Sequence, residues 1–375
     1  MRTDKKIHVG LLFGGNSSEH DVSKRSAHNI YDAMDKDRYE ISLFMITKDG
    51  YLLSDASSRR IFDGESEDGE SEDVVVEDAM RAVDKGNPLA PVLNLSKQRD
   101  IDVYFPIIHG NLGEDGTIQG LLRLLQKPYV GSGILSSAVS FDKDVTKQLL
   151  THNGIRNTKY LVITPETRQK YPYDFCRDLL GEMLFLKPAN QGSSVGIHKA
   201  TNEAEFEAGL DDAFRYDFKV LVEQSIEQPE EVEVSILGNE QPKASEVGRI
   251  IVPESDTFYD YNNKFVDASG VQFELPASIS DELAGEVQQM ALDAYRVLGC
   301  RGLARIDFLV DHDKVPYLSE INTLPGFTNI SLYPQLWEVS GISYNKLIDH
   351  LIQLAFDEFK RRSKLHYDFT PLDAE

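Results

Sequence analysis

An arginine, two carboxylates and a side-chain amide lie close together in the run ARIDFLVDHDKVPYLSEINTLPGF, Ala304 to Phe327. Ala304, Ile306, Phe308 and Val310 alternate with Arg305, Asp307 and Leu309. A strand turns successive side chains to opposite faces, so Arg305 and Asp307 share one. Asp311-His312-Asp313-Lys314 reads as the turn into a second strand. Symmetric pairing about that turn puts Arg305 opposite Glu320, Asp307 on the diagonal at about 7 Å, and Asn322 one step on. Asp307, Glu320 and Asn322 then offer hard oxygens on one face, the set Mg²⁺ takes when nucleotide phosphates complete its shell. A solvated hairpin face would use the same acids. The continuation Asn-Thr-Leu-Pro-Gly-Phe, a polar strand end meeting a tight glycine turn, favours the metal site.

Other residues fit a nucleotide. Gln191 to Gly196, QGSSVG, lies between two apparent strands and can lay N–H groups and hydroxyls against phosphate oxygens. It lacks the GK[ST] ending of a P-loop and precedes no helix, and ordinary hairpin turns also use Gly and Ser freely. Lys187 ends the preceding strand, and Lys143 stands in FDKDVTK. Two lysines aimed at one pocket would hold α- and β-phosphates and neutralise developing charge. Glu223 and Glu231 flank a linker that suits an adenine edge and a ribose diol, and a solvated linker accounts for them equally well. Glu19 follows the first strand near a helix start, as a macrodipole partner or as a holder of a substrate ammonium group. HGNLGEDG brings His109, Glu114 and Asp115 to the carboxyl end of a strand, where open α/β sheets bind ligands. His109 by itself reads as a structural histidine. Neither loop reads GxGxxG, which disfavours a dinucleotide site.

The elements that must position these residues fall into three units. IHVGLLF (7–13), YEISLFMI and VYFPIIH read as strands, with helices at Ala27, Ile30, Tyr31 and Met34 and at Ile118, Leu121, Leu122 and Leu125. Ser18 and Asp21 resemble a capping box for the first of these helices. Strands alternating with helices predict a parallel sheet covered on both sides across 1–137. An α+β lobe follows over 138–226, with a helix ending at Gly154 and a hairpin from MLFLKP to VGIHKA. A third unit, 227–375, holds strands EVEVSILG and SEVGRIIV, a long polar loop, a long helix, the acidic hairpin and a closing helix.

The 375 residues carry a net charge of −23, which repels nucleic-acid phosphates. No apolar run approaches a membrane span, and MRTDKKIHVGLLFGG reads as a first strand entering a glycine loop, not a signal peptide. Cys176 and Cys300 show no metal spacing and fit a reducing cytoplasm. The doubled GESED of residues 64–73 reads as an acidic surface loop.

Seven motifs, GGNSSEHDVS, HGNLGEDGTIQG, FDKDVTK, LKPANQGSSVG, FYDYNNKF, ARIDF and EINTLPGFT, resemble the D-alanine-D-alanine ligase family in order and spacing, over roughly residues 10 to 332. The resemblance implies an ATP-grasp fold of three domains, an N-terminal parallel-sheet domain and two α+β lobes clasping ATP. It implies Mg²⁺, two ions, held by Asp307, Glu320 and Asn322, and phosphate contacts from Lys143, Lys187 and Lys264 under a loop carrying Ser193 and Ser194. Glu223 and the segment to Ile226 would meet adenine, and Glu231 the ribose. Glu19 would pair with the ammonium group of the first D-alanine. Arg305 and the Gly326 N–H would hold the oxyanion. Ser331 and the Leu332 backbone would hold the second substrate's carboxylate, with His109 beside it. The resemblance also implies a homodimer serving cell-wall synthesis in the cytoplasm. The segment from Asp256 to Val271 is the expected lid over the acyl phosphate. One departure stands in FYDYNNKF: Phe265 occupies a position where typical members carry tyrosine. Phenylalanine there resembles the subgroup of glycopeptide-resistant lactic acid bacteria. This points to D-lactate as second substrate, with D-alanine also accepted; strict joining of two D-alanines is the alternative.

Overall fold

A computed structural model of the chain describes residues 5–64, 100–251 and 272–366. Lys264, Phe265, the expected lid and residues 65–73 of the acidic repeat lie outside the described residues.

The N-terminal unit runs β1 (Ile7–Gly14), α1 (His20–Ala33), β2 (Tyr39–Ile46), α2 (Asp55–Phe62), β3 (Val103–Pro106), α3 (Thr117–Leu124) and α4 (Ile134–Phe141). Its strands form a parallel sheet in the order β2-β1-β3. The apolar run of β1 is buried on both faces, as a central parallel strand requires. The expected Ser18–Asp21 capping box is not the helix start. Glu19 is the N-cap of α1 and makes no side-chain cap bond, and Asp21 turns outward, 3.6 Å from Lys48. VYFPIIH contributes only four strand residues, because the chain then leaves the sheet edge to build the His109 loop.

The central unit holds α5 (Lys143–His152), β4 (Tyr160–Ile163), α6 (Tyr173–Leu180), β5 (Leu184–Pro188), β6 (His198–Ala200), α7 (Glu203–Ala213) and β7 (Val220–Gln224). Its four strands form an antiparallel sheet, β4-β7-β5-β6. Asp142 caps α5, accepting from Asp144 N and Val145 N, and Lys219 Nζ lies 2.7 Å from Asp142 Oδ2. This fixes where α5 begins, and so where Lys143 stands.

The last unit holds β8 (Glu230–Gly238), β9 (Lys243–Ile251), β10 (Gln272–Glu274), α8 (Asp281–Val297), β11 (Gly302–Val310), β12 (Pro316–Asn322), α9 (Leu332–Val339) and α10 (Tyr344–Arg362). Its antiparallel sheet runs β10-β9-β8-β11-β12. The closing helix α10 does more than cover this unit. Leu347, Ile348, Leu351 and Ile352 are buried in one core with Val9, Leu11 and Phe13 of β1 and with Trp337 of α9. Asp349 ties the units at the surface, accepting from Tyr39 Oη at 2.5 Å and Arg38 Nη1 at 2.8 Å. Among the described residues no helix is long and apolar enough to cross a membrane.

Candidate active site

The hairpin β11–β12 forms as expected but in a different register. Asp307 lies directly opposite Glu320, and Arg305 opposite Asn322. The pairing shifts between Asp307 and Phe308, where Ser319 is the extra residue of a bulge. A bulge re-aims the side chains beyond it. Here it turns Glu320 and Asn322 to the face of Arg305 and Asp307 while Leu318 and Ile321 stay in the core.

On the other side of β11, Asp307 pairs with Glu233 and Arg305 with Ser235 of β8. Three carboxylates, Glu233, Asp307 and Glu320, thus stand abreast on three strands. Like charges opposed across strands destabilise a sheet, so this row demands cations. Arg305 supplies one, forking onto Asp307 at 2.8 and 2.7 Å and reaching Glu233 at 2.8 Å. Lys143 Nζ lies 3.9 Å from Glu320. Asn322 Nδ2 donates to Asp307 Oδ2 at 3.0 Å, and a half-turn of that amide would present its oxygen instead. Among the described residues no three His, Cys, Asp or Glu side chains close into a protein-only metal cage. Two carboxylates and an amide fit Mg²⁺, which keeps waters and phosphate oxygens as its other ligands.

Lys187 and Glu223 meet across β5 and β7, Nζ to Oε2 at 2.9 Å. Lys147, one helical turn after Lys143, reaches the other oxygen of Glu223 at 3.1 Å and donates to Thr158 Oγ1 at 2.6 Å. Burial alone would raise the Glu223 pKa, but the ammonium groups of Lys147 and Lys187 overcome it and bring the pKa down to about 2. Burial likewise works against the Lys187 ammonium, yet Glu223, helped by Glu320 and Glu231, holds its pKa above lysine's ordinary value. For Lys147 burial wins, and its pKa is lowered.

The loops close around this face. Lys143 Nζ donates to the Gln191 carbonyl oxygen, bringing α5 against the QGSSVG loop. Ser193 and Ser194 both adopt left-handed backbone, φ 52° and 59°. The Glu19 carboxylate is wedged between two loops: a Cβ added at Gly110 or at Gly192 would lie 3.3 Å from Glu19 Oε2. Gly113 permits the His109 loop to fold back, since a Cβ there would meet the Ile108 carbonyl oxygen at 1.8 Å. Glu114, deep in this loop, accepts from Gly110 N at 2.9 Å and Leu324 N at 3.0 Å. Burial first, and then the Glu19 charge, push its pKa up to about 8. Ser331 begins α9 without a side-chain cap bond. Its hydroxyl instead accepts from Thr328 N at 2.9 Å and sits 2.7 Å from where a Gly326 Cβ would be. Ser331 thus brings the start of α9 against the Gly326 turn, and a helix start favours an anion.

Glu114, Lys143, Gln191, Gly192, Glu320 and Asn322 line one cleft; Glu19 lies against Gly192, and Asp307 and Arg305 stand across the hairpin from Glu320 and Asn322. Lys187 pairs with Glu223 and also feels the charges of Glu320 and Glu231. Sequence reasoning missed Lys147 and Glu233. Glu233 was within reach of it, because alternation in EVEVSILG puts Glu231, Glu233 and Ser235 on one face. Lys147 reads as an exposed helix charge until its 2% exposure is known.

Two family models match the chain, D-ala D-ala ligase N-terminus over residues 8–132 and D-ala D-ala ligase C-terminus over 149–353. A protein of Lactiplantibacillus plantarum named D-alanine--D-alanine ligase is 67% identical over 375 residues, covering all of both chains. The chain belongs to the D-alanine-D-alanine ligase family. A Leuconostoc citreum member with the same name is 51% identical over 374 residues, covering 99% of this chain and 98% of its own. Among solved structures, the D-alanine-D-alanine ligase from Coxiella burnetii is 34% identical with a TM-score of 0.77, covering 96% of this chain and 98% of that one. VanG D-Ala:D-Ser ligase from Enterococcus faecalis is 28% identical with a TM-score of 0.75, covering 94% and 100%. The three units are therefore those of the family's ATP-grasp fold. These relatives bear names for joining two D-alanines or D-alanine to D-serine, and none names the D-lactate expected from Phe265.

Proposed function

We propose that this enzyme activates one D-alanine with ATP and joins it to a second D-alanine, a step of peptidoglycan precursor synthesis. The observation that carries this reading is the carboxylate row of β8, β11 and β12, whose Glu320 shares a cleft with Lys143 and the Gln191–Gly192 turn against which Glu19 lies, in a chain that full-length ligases match end to end.

A carboxylate is a poor acyl donor, because its charge repels nucleophiles and oxide is a bad leaving group. Transfer of the γ-phosphoryl group converts it to an acyl phosphate. In this reading Lys143 and Lys187 hold the phosphates, and Ser193 and Ser194 close over them. Asp307, Glu320 and Asn322 would hold Mg²⁺, which would supply positive charge to the transferring group. Glu223, Ile226 and Glu231 receive the adenosine. Glu19 binds the first D-alanine's ammonium group. Ser331 and the Leu332 N–H orient the second by its carboxylate. Its amine then attacks the acyl carbon, and Arg305 and Gly326 N–H meet the oxygen that gains charge. Lys264 joins the phosphate contacts from outside the described residues.

One residue favours a second reading. Phe265, in place of the family's tyrosine, lacks a hydroxyl group and would admit D-lactate, giving an ester. Product analysis decides. Enzyme given ATP, Mg²⁺, D-alanine and D-lactate is sampled by mass spectrometry from about pH 6 to about pH 9; an amine must lose its proton to attack, and a hydroxyl group need not do so beforehand. Dipeptide throughout supports the first reading. Ester at the acid end giving way to dipeptide at the alkaline end supports the second. Neither product overturns both.

A further inference from the structure

Three residues of the N-terminal unit grip one turn of the last unit. Leu324 has both backbone groups taken: its N–H donates to Glu114 Oε1 at 3.0 Å and its carbonyl oxygen accepts from His109 Nδ1 at 2.8 Å. A carbonyl oxygen can only accept, so Nδ1 carries the proton, and in the neutral ring Nε2 is an acceptor. His109 Nε2 lies 3.2 Å from Ser26 Oγ, and Ser26 Oγ accepts from Phe327 N at 3.2 Å. The directions are thus fixed along a chain: Phe327 N–H to Ser26 Oγ, Ser26 O–H to His109 Nε2, His109 Nδ1–H to the Leu324 carbonyl. All three side chains are buried. Burial also lowers the His109 pKa, more than Glu19 and the Leu324 carbonyl raise it, which keeps the ring neutral. Gly326 stands between the two residues so held.

We propose that Ser26, His109 and Glu114 are positioning residues that fix the Leu324–Phe327 turn and so aim the Gly326 N–H at the oxygen that becomes negative during acyl transfer. The proposal rests on the reading of function given above. In that step the amine nitrogen bonds to the acyl carbon and the C=O electron pair moves onto oxygen. The pair returns as the C–O bond to phosphate breaks, and the nitrogen's surplus proton leaves with the phosphate. A donor helps only if it is already in place when the charge appears. The grip supplies that placement from a separate unit, through bonds that do not touch the substrate.

The test uses full-length enzyme, Ser26→Ala and Glu114→Gln, with a tetrahedral phosphinate dipeptide as mimic of the transition state. Ser26→Ala leaves Phe327 N–H and His109 Nε2 without their partner. It is expected to lower kcat for dipeptide formation about 10- to 100-fold and to weaken the mimic by the same factor, with the KM for ATP within about twofold. The Leu324 and Phe327 amides should exchange hydrogen faster. Glu114→Gln keeps one acceptor oxygen and is expected to show the same pattern more weakly, which covers the case in which Ser26→Ala does not fold. Unchanged kcat, or lost kcat with the mimic bound as tightly as before, overturns the proposal, as does a loss shared equally by ATP affinity. A wild-type enzyme that forms no D-alanyl product overturns the proposal together with the functional reading, whereas an active wild type with indifferent variants overturns the proposal alone.

Discussion

At the scale of single residues, the site is organised by buried charges that satisfy one another before any ligand arrives. Glu223 is the clearest case, since it binds one lysine with each oxygen. Its folded pKa of about 2 lies below the ordinary 4.5. The stabilisation it contributes is therefore fully present above about pH 4.5 and is lost as pH falls toward 2. Glu223→Gln leaves two ammonium groups short of their partner and is expected to cost about 3–5 kcal/mol at neutral pH. Denaturant unfolding of variant and wild type, repeated in acid steps, should show that gap narrowing below pH 4.5; a gap independent of pH would mean that the carboxylate charge is not what stabilises the cluster. Glu114 has the opposite shift, and its carboxyl holds its proton to about pH 8. Both groups stood in the sequence as ordinary acids, because the burial and the charges that act on them come from residues distant along the chain.

At the scale of elements, most of the secondary structure could be read from periodicity. The strands 7–14, 39–46, 184–188 and 220–224 and the long helices follow their apolar spacing. The hairpin carrying Asp307 and Glu320 was legible as a hairpin, and its register was not. A symmetric turn cannot reveal the bulge at Ser319, although a clue lay in the run Leu318-Ser319-Glu320-Ile321. Leu318 and Ile321 are both core residues three positions apart, which strict alternation cannot place on one face. The bulge reconciles them and delivers Glu320 to Asp307. Paired deletions expose its role. Deleting Ser319 leaves Glu320 opposite Asp307, and Mg²⁺-dependent ADP release should stay within about tenfold of wild type. Deleting Glu320 leaves Ser319 there, and release should fall about 100-fold or more. Equal losses would mean that the bulge serves the sheet and not the acid.

At the scale of the whole molecule, the ends of the described chain share one hydrophobic core. Helix α10 packs Leu347, Ile348, Leu351 and Ile352 against the sheet that begins at Ile7. No local pattern in either segment could announce this, since amphipathicity shows which face of a helix is buried and not what buries it. Leu351→Ala is expected to cost about 2–5 kcal/mol. Trp337, the chain's single tryptophan, lies in the same core, so its fluorescence during unfolding gives the measurement. A cost below about 1 kcal/mol would show that the helix is only loosely seated. The shared core also has a consequence in time. A ribosome makes the N-terminal strands first and the helix that covers them only after the central unit and most of the last have been made. Domains usually fold in turn as they emerge, but here the first unit must wait with its apolar face uncovered. The emerging chain therefore carries that face uncovered throughout most of its own synthesis.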